Sequence, residues 1–370
     1  MRFTAQREEL LKPLQKVLGA VERRQTLPVL ANVLLTAHAG RLSVTATDLE
    51  VELRAELALD IEGQSAITVP ARKLHDICRS LPDGARIEFS AEGDRAQLRA
   101  GRSRFSLATL PADEFPEVGG FDIAAKFDLD PAVLARSLNR TSFAMAQQDV
   151  RYYLNGVLFE LGAQRLRCVA TDGHRLALSD AALEIDPGAG LGELTQVIIP
   201  RKGVQELLRV LSDEQGPASV ELGANHVRVS LPGVRFNSKL IDGKFPDYDR
   251  VLPKGNDKLL QLPREEFRAA LSRAAILSNE KYKGIRLLLG DGELRIQTHN
   301  PEQEEAQDEL TVDYAGEALE IGFNVAYLLD VLNTLDTDEV SLSFRDANSS
   351  CLITPAGSED AQYVVMPMRL

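Results

Sequence analysis

The chain repeats itself, and that constrains its fold more than any single motif does. Phe3, Leu10, Leu14 and the pair Thr47-Asp48 recur as Phe127, Leu134, Leu138 and Thr171-Asp172, each displaced by 124 positions. Five positions sharing one offset are a repeat signal. A second pattern occurs three times: Leu74, Ile77, Cys78, Leu81, then Val204, Leu207, Leu208, Leu211, then Val325, Leu328, Leu329, Leu332. The i, i+3, i+4, i+7 spacing gathers four apolar side chains on one helix face, which must be buried against something. At 370 residues, two to three domains are expected.

The local grammar around these helices is also shared. The first two are entered from an extended stretch ending in Pro, ITVPARKL and VIIPRKGV, whereas the third, IGFNVAYL, lacks the Pro. Alternating segments such as ARIEFS, ASVELG and HVRVSL have the period of two that marks strands. The front halves NVLLTAHAG-RLSVTATDLEVEL, GVLFELGAQ-RLRCVATDGHRLAL and GIRLLLGDG-ELRIQTHNPEQEEAQDEL read as strand pairs after a strand and a helix. Each domain therefore holds two units of strand, helix and three strands, giving six units of α+β class. Their strands form antiparallel sheets with one helix per unit on one face. The Pro/Gly-rich stretches ADEFPEVGG and DGKFPDYDRVLPKGND read as linkers, which sets domains at 1–124, 125–253 and 254–370. Helices are expected over 5–24, 71–80, 131–146, 201–211, 263–275 and 324–335. Pro13 is expected to kink the first helix or mark its first turn.

Composition excludes several classes. No apolar stretch approaches the roughly 18 residues that span a bilayer, and the charged start MRFTAQREELLKPLQ is not a secretory signal, so a cytoplasmic location is expected. Cys78, Cys168 and Cys351 are too few and too scattered for a disulfide framework or a CxxC site. His38, His75, His174, His226 and His299 form no HxH or HExxH set, so no metal or cofactor is expected. Gly188 to Gly192 lacks phosphate-loop spacing and reads as a turn. Asp172 and His174, two apart on an alternating strand, would share a face as a carboxylate-oriented base and form the best local case for a hydrolase. No nucleophile elbow accompanies them.

A formal charge of −13 argues at first sight against nucleic acid. Its distribution argues otherwise. The six helix windows hold sixteen Lys or Arg against eight Asp or Glu, and the rest of the chain carries the acidic excess. Basic helices against an acidic remainder leave phosphate contact through the helices open.

Together the segments TLPVLANVLL, TDLEVEL, VPARKL, GRSRFSLATLP, QDVRYYLNG, VATDGHRLAL, FPDY, AILSNEKYKGIRL, NPEQEEA, IGFNVAYLLDVL and YVVMPMRL resemble the bacterial sliding clamps, the β subunit of DNA polymerase III, over the whole chain. The resemblance implies a DNA-clamp fold and a head-to-tail homodimeric ring with helices inside and antiparallel sheets outside. It implies a processivity factor in DNA replication, without catalysis, that slides on duplex DNA irrespective of sequence.

By the same resemblance Arg24, Gln148, Tyr152 and Tyr153 approach the duplex. The dimer seam has an argument of its own from charge. Arg95, Arg102 and Arg104 cluster beside Phe105 and Leu107 in the first domain, while Glu302, Glu304, Glu305 and Asp308 cluster in the third with Ile276 and Leu277. Opposite charges at opposite ends suit a heterologous interface that closes a ring. Partners implied are the DNA polymerase III α subunit, the clamp-loader δ subunit, and other polymerases and repair proteins carrying short linear motifs. Their pocket would comprise Leu154, Thr171, Gly173, His174, Arg175, Leu176, Pro246, Arg250, Val251, Tyr282, Asn324, Tyr327, Ser350, Val364, Val365, Met366, Pro367, Met368, Arg369 and Leu370. Val251, Leu176, Val365 and Met366 would receive an apolar anchor, with Met adapting to varied shapes. Asp249 stands where relatives carry a basic residue and would alter the preference for acidic peptides. A monomeric peptide-binding adaptor is the alternative that needs no ring.

Overall fold

The computed structural model describes residues 1–22, 27–61, 63–116, 121–162, 164–184, 186–191, 194–212 and 216–369. The first unit is β1 (Arg2–Gln6), α1 (Arg7–Val17), β2 (Asn32–His38), β3 (Arg41–Thr47) and β4 (Val51–Ala58). The second is β5 (Ser65–Pro70), α2 (Ala71–Ser80), β6 (Arg86–Glu92), β7 (Arg95–Ala100) and β8 (Ser103–Ala108). The third is β9 (Ala125–Leu129), α3 (Pro131–Ser142), β10 (Gly156–Gly162), β11 (Arg165–Thr171) and β12 (Arg175–Ala182). The fourth is β13 (Thr195–Pro200), α4 (Arg201–Leu211), β14 (Ala218–Leu222), β15 (His226–Leu231) and β16 (Val234–Lys239). The fifth is β17 (Lys258–Pro263), α5 (Arg264–Ala275), β18 (Gly284–Gly290), β19 (Glu293–His299) and β20 (Glu305–Thr311). The sixth is β21 (Leu319–Asn324), α6 (Val325–Thr334), β22 (Glu339–Phe344), β23 (Cys351–Pro355) and β24 (Ala361–Val365).

The expected succession of strand, helix and three strands thus occurs six times. Four helix windows match to within a residue at either end. The first helix is shorter than its window, stopping at Val17 before a 3-10 turn over Leu18–Ala20, and the third ends at Ser142. Pro13 does not mark the first turn of α1: it sits deeper, and the helix continues past it to Val17. The missing Pro before α6 is also explained. Asn324 occupies that place, and its side chain accepts a hydrogen bond from Ala326 N at 2.9 Å, capping the helix.

The units interlock in pairs, a feature the sequence pattern does not reveal. Strand β1 pairs with β6 and β5 with β2; β9 pairs with β14 and β13 with β10; β17 pairs with β22 and β21 with β18. Every unit donates its first strand to its neighbour's sheet, and the helix carries the chain from one sheet to the other. A single unit would leave its own sheet a strand short, which is why units come in twos. All of these pairings are antiparallel, as expected for sheets with one helix-covered face.

Each pair is then latched by the segment after its last strand. Thr68 N donates to Leu110 O at 3.3 Å, Ile241 N to Ile198 O at 2.9 Å, and Met368 N to Gly322 O at 2.9 Å. Thr68, Ile198 and Gly322 each stand two residues before the Pro or Asn that opens the following helix. The outer edge of β5, β13 and β21 is met at the same point in all three.

The chain divides into two compact units that cut across its middle third. One comprises Met1–Ala135, Ile185–Leu191 and Lys202–Leu240; it holds the four-stranded sheet β1-β6-β7-β8 and the eight-stranded sheet β5-β2-β3-β4-β16-β15-β14-β9. The other comprises Arg136–Glu184, Gly192–Arg201 and Ile241–Leu370; it holds the eight-stranded sheet β13-β10-β11-β12-β24-β23-β22-β17 and the four-stranded sheet β20-β19-β18-β21. Continuous hydrogen bonding from β4 to β16 and from β12 to β24 draws the two halves of the middle third into different units.

The apolar stripes do what their spacing demands. Leu74 and Cys78, Val204 and Leu207, and Leu328 and Leu332 are at most 1% exposed. In α1, Leu10, Leu14 and Val17 are fully buried. A Leu buried this completely is worth about 1.5–3 kcal/mol, so each helix is held mainly by its packed face.

Candidate functional site

Most of the expected pocket residues gather where β12 meets β24 in the second compact unit. Arg175 opens β12 and pairs in register with Val365, Leu176 with Val364. Met366 N then donates to His174 O at 3.0 Å, and Met368 N to Gly322 O on β21, so residues 366–369 form a lip held at two points. Val364, two residues before this lip, belongs to an apolar cluster with Leu154, Val169, Leu176, Phe245 and Tyr248, on which Val251 and Leu252 pack, partly exposed. Pro246, Arg250, Met366 and Arg369 are exposed, as is Tyr282 at 56%. Asn324, Tyr327, Ser350, Pro367 and Met368 are half-buried. Leu370 lies outside the described residues.

Arg175 holds the site together and is not a free rim cation. Its guanidinium donates to Asp172 Oδ2 at 3.1 Å, to Asp330 Oδ2 at 2.5 Å and to Phe143 O at 2.8 Å. It also lies 4.4 Å from the centre of the Tyr327 ring, a cation–π arrangement. Sequence reasoning missed Asp330, although it is the only charged residue in α6. It also missed the polar support of the apolar cluster. Tyr248 donates its hydroxyl to Glu160 and accepts from Arg167, itself forked onto Asp180 at 2.7 and 2.6 Å. Burial first, and then Glu160, push the Tyr248 phenol up to about 12.

The hydrolase reading fails on geometry. Residues 172–174 form the turn between β11 and β12, not a strand. Asp172 Oδ1 accepts from the backbone N–H groups of His174 and Arg175 at 2.9 and 3.0 Å, and its other oxygen takes Arg175 Nε. The carboxylate caps the turn and does not orient the imidazole. Thr171 completes the motif by donating to Arg175 O and accepting from Gly173 N. Thr47-Asp48 makes the same four bonds: Thr47 to Val51 O and from Leu49 N, Asp48 from the N–H groups of Glu50 and Val51. The repeated Thr-Asp pair is a turn device. Gly173 has φ of +89° there, and Leu49 adopts +77° at the same place. Gly188 to Gly190 likewise turn, with Asp186 accepting from Gly188 N and Gly190 left-handed, while Gly192 lies outside the described residues.

Of the expected DNA contacts, Arg24 lies outside the described residues. Tyr152 is 56% exposed, while Tyr153 turns inward against the apolar cluster. Their rings meet edge to face at 5.8 Å. Gln148 sits at positive φ, 56°, in a loop tied by Asn155, which bonds Asp149 N and O at 2.9 Å each. Arg151 forks onto Asp149 and holds that carboxyl down at about 2. Val150, in the same loop, is 95% exposed.

Many helix cations are committed internally. Arg7, Arg140, Arg201, Lys202, Arg209, Arg264, Arg268 and Arg273 all bond to carboxylates or to carbonyls at helix ends and turns. Arg72, Lys73 and Arg136 stand exposed. The basic count over the windows therefore overstates the charge available to phosphates.

The expected seam residues lie on two sheet edges. In the first compact unit, β8 ends its sheet, with Arg104 exposed, Phe105 half-buried and Leu107 buried. Arg95 and Arg102 are exposed at the ends of β7 and its turn. In the second, β20 ends its sheet; Glu302, Glu304 and Glu305 are exposed, Leu277 is half-buried and Ile276 is 77% exposed. Asp308 is already paired, accepting from Arg273 on α5 at 2.5 Å.

Family models described as the N-terminal, central and C-terminal domains of the DNA polymerase III beta subunit match residues 1–119, 128–247 and 249–369. The chain belongs to the beta sliding clamp family. It is 56% identical to the beta sliding clamp of Pseudomonas putida and 51% identical to that of Escherichia coli K12, over the full length of each pair. Among solved structures, it matches a Pseudomonas aeruginosa DNA polymerase sliding clamp with ligand at a TM-score of 0.95 and 54% identity, covering both chains completely. A Bartonella birtlesii sliding clamp bound to griselimycin matches at 0.95 and 40% identity with the same coverage. The α+β clamp fold of three similar domains, each of two units, follows for this family member. Among the described residues no helix is long and apolar enough to cross a membrane, and no cluster of His, Cys, Asp and Glu is arranged to hold a metal.

Proposed function

We propose that this sliding clamp works as a head-to-tail dimer that encircles duplex DNA in the cytoplasm, conferring processivity without catalysis of its own. One observation carries the ring. The closing strands of the six units pair with one another, β4 with β16 and β12 with β24, which leaves β8 and β20 at the ends of their sheets. By the same rule β8 of one copy takes β20 of another, and two such heterologous contacts close on themselves. Arg95, Arg102 and Arg104 beside one edge and Glu302, Glu304 and Glu305 beside the other favour that pairing over like with like. The domains of this ring are 1–124, 125–253 and 254–370.

Loose phosphate contacts carry no sequence information, so a ring that holds by topology can slide. Tyr152, Gln148 and Arg24 approach the duplex in this reading, and Arg72, Lys73 and Arg136 add exposed charge. The groove beside β12 and β24 docks short linear motifs of the polymerase III α subunit, the clamp-loader δ subunit and other polymerases and repair proteins. An apolar anchor sits on Leu176, Val251 and Met366, backed by Leu154 and Val364; Val365, expected to join them, is fully buried outside that cluster.

Retention on DNA tests this. The protein is loaded with its clamp loader and ATP onto a nicked circle, which is then cut once. Rapid release after cutting, with persistence on the uncut circle, is expected. Equal retention on both would sink the ring in favour of surface binding. Failure to load, with peptides still bound, would favour a monomeric adaptor.

A further inference from the structure

A basin of about 790 Å³ opens on the β20-β19-β18 sheet, with the Tyr282 ring, Met368 and Arg369 along one side. Its floor carries an amide pair. Gln297 and Gln307 are register partners on β19 and β20, and Gln297 Nε2 donates to Gln307 Oε1 at 2.9 Å. That bond leaves Gln297 Oε1 and Gln307 Nε2 without a partner among the described residues, one acceptor and one donor on adjacent strands. An extended peptide offers the complement, an N–H and a C=O. Asp308, the next residue along β20, is bonded by Arg273 of α5 on the other face, so the basin opens on the face away from that helix.

We propose that this basin is an extension subsite for the residues flanking the anchor of a docked peptide. The inference rests on the docking reading above. It goes beyond that reading in placing a second recognition surface, with backbone-reading chemistry, outside the groove. Continuity selects this occupant: the lip that is bonded to His174 through Met366 N carries Met368 and Arg369 into the wall of the basin, so a chain leaving the proposed groove along the lip reaches the basin. The volume is in the range of a ligand site, and an exposed aromatic beside two strand-borne amides suits a polypeptide backbone.

Peptide length tests it. A fluorescein-labelled peptide from the clamp-docking segment of a polymerase III α subunit is compared, by anisotropy, with the same peptide lengthened by its native residues on one side or the other. Lengthening on one side is expected to tighten binding roughly three- to tenfold, the effect of one or two net hydrogen bonds. Gln297→Ala with Gln307→Ala is expected to erase that gain while leaving the short peptide's affinity unchanged and the protein's sedimentation unaltered. Equal binding of short and long peptides, or a gain that survives in the variant, would overturn the extension subsite and leave the groove standing. No binding of the short peptide would overturn the docking reading itself.

Discussion

Arg175 Nη1 and Asp330 Oδ2 meet at 2.5 Å although 155 residues separate them in sequence. The contact joins the first residue of β12 to α6, beside the groove proposed to dock peptides. Only 11% of the Arg175 side chain is exposed, so Arg175→Ala leaves Asp172 and Asp330 without their cation and removes the stack on Tyr327. Breaking a buried pair costs about 3–5 kcal/mol. Asp330, 43% exposed, regains water, which brings the expectation down to about 2–3 kcal/mol. Urea unfolding of the variant should begin at clearly lower denaturant, with weaker peptide binding; Asp330→Asn should lose less.

Asp48 gives a matching test in the other compact unit. Its side chain is 5% exposed, pairs with Lys202 and accepts from the backbone of Glu50 and Val51. Asp48→Ala strands two N–H groups and an ammonium, an expected loss of about 2–4 kcal/mol in chemical denaturation. A change under 0.5 kcal/mol would show that the Thr-Asp turn is not structural.

Two charge reversals probe the seam. Arg104→Glu sets like charges against the β20 edge of the proposed dimer and should weaken association about tenfold, or roughly 1.4 kcal/mol, in sedimentation equilibrium at low salt. Glu304→Arg should do the same. Mixed together, the two single variants should form one restored seam per ring.

Cys78, Cys168 and Cys351 are free and buried, and burial pushes all three thiols up, Cys78 to about 12. Since the thiolate is the reactive form, a thiol reagent at pH 8 should label none in the native protein and three after denaturation. Labelling of Cys168 in native protein would contradict the packing of β11.

Tyr248 sets an alkaline limit. Its phenol is raised from 10 to about 12 in the folded state, so between those values the unfolded chain releases a proton that the folded chain keeps. Stability therefore falls with rising pH across that window and is unaffected by this group below it. In a phenolate absorbance titration, wild type minus Tyr248→Phe should show one tyrosine ionising near pH 12. The same substitution leaves Glu160, 4% exposed, short of a donor and should cost about 1–3 kcal/mol at neutral pH.

The repeats, the six units and the helix positions were legible because period and spacing are local. The exchange of first strands was not: β1 and β6 have the same alternation whichever neighbour they join, and pairing depends on where the helix delivers the chain. At the site, Leu176, Val364 and Tyr282 stood out only through the family resemblance. Asp330 went unread because an acid on an amphipathic helix normally faces solvent. Asp172 misled for the opposite reason, since a carboxylate two residues from His looks like chemistry until the turn that consumes it is seen. Gln297 and Gln307 carry no signal at all until strand register places them side by side.

The latches at Leu110, Ile241 and Met368 have a consequence for modularity. Each pair of units is sealed by residues beyond its own last strand, so the segment between two repeats is not a tether. A fragment cut at the final strand of a repeat would expose the edge of β5, β13 or β21 to any extended chain nearby and invite aggregation. The smallest piece that could be inherited, shuffled or expressed alone therefore ends a few residues later than the repeat count suggests.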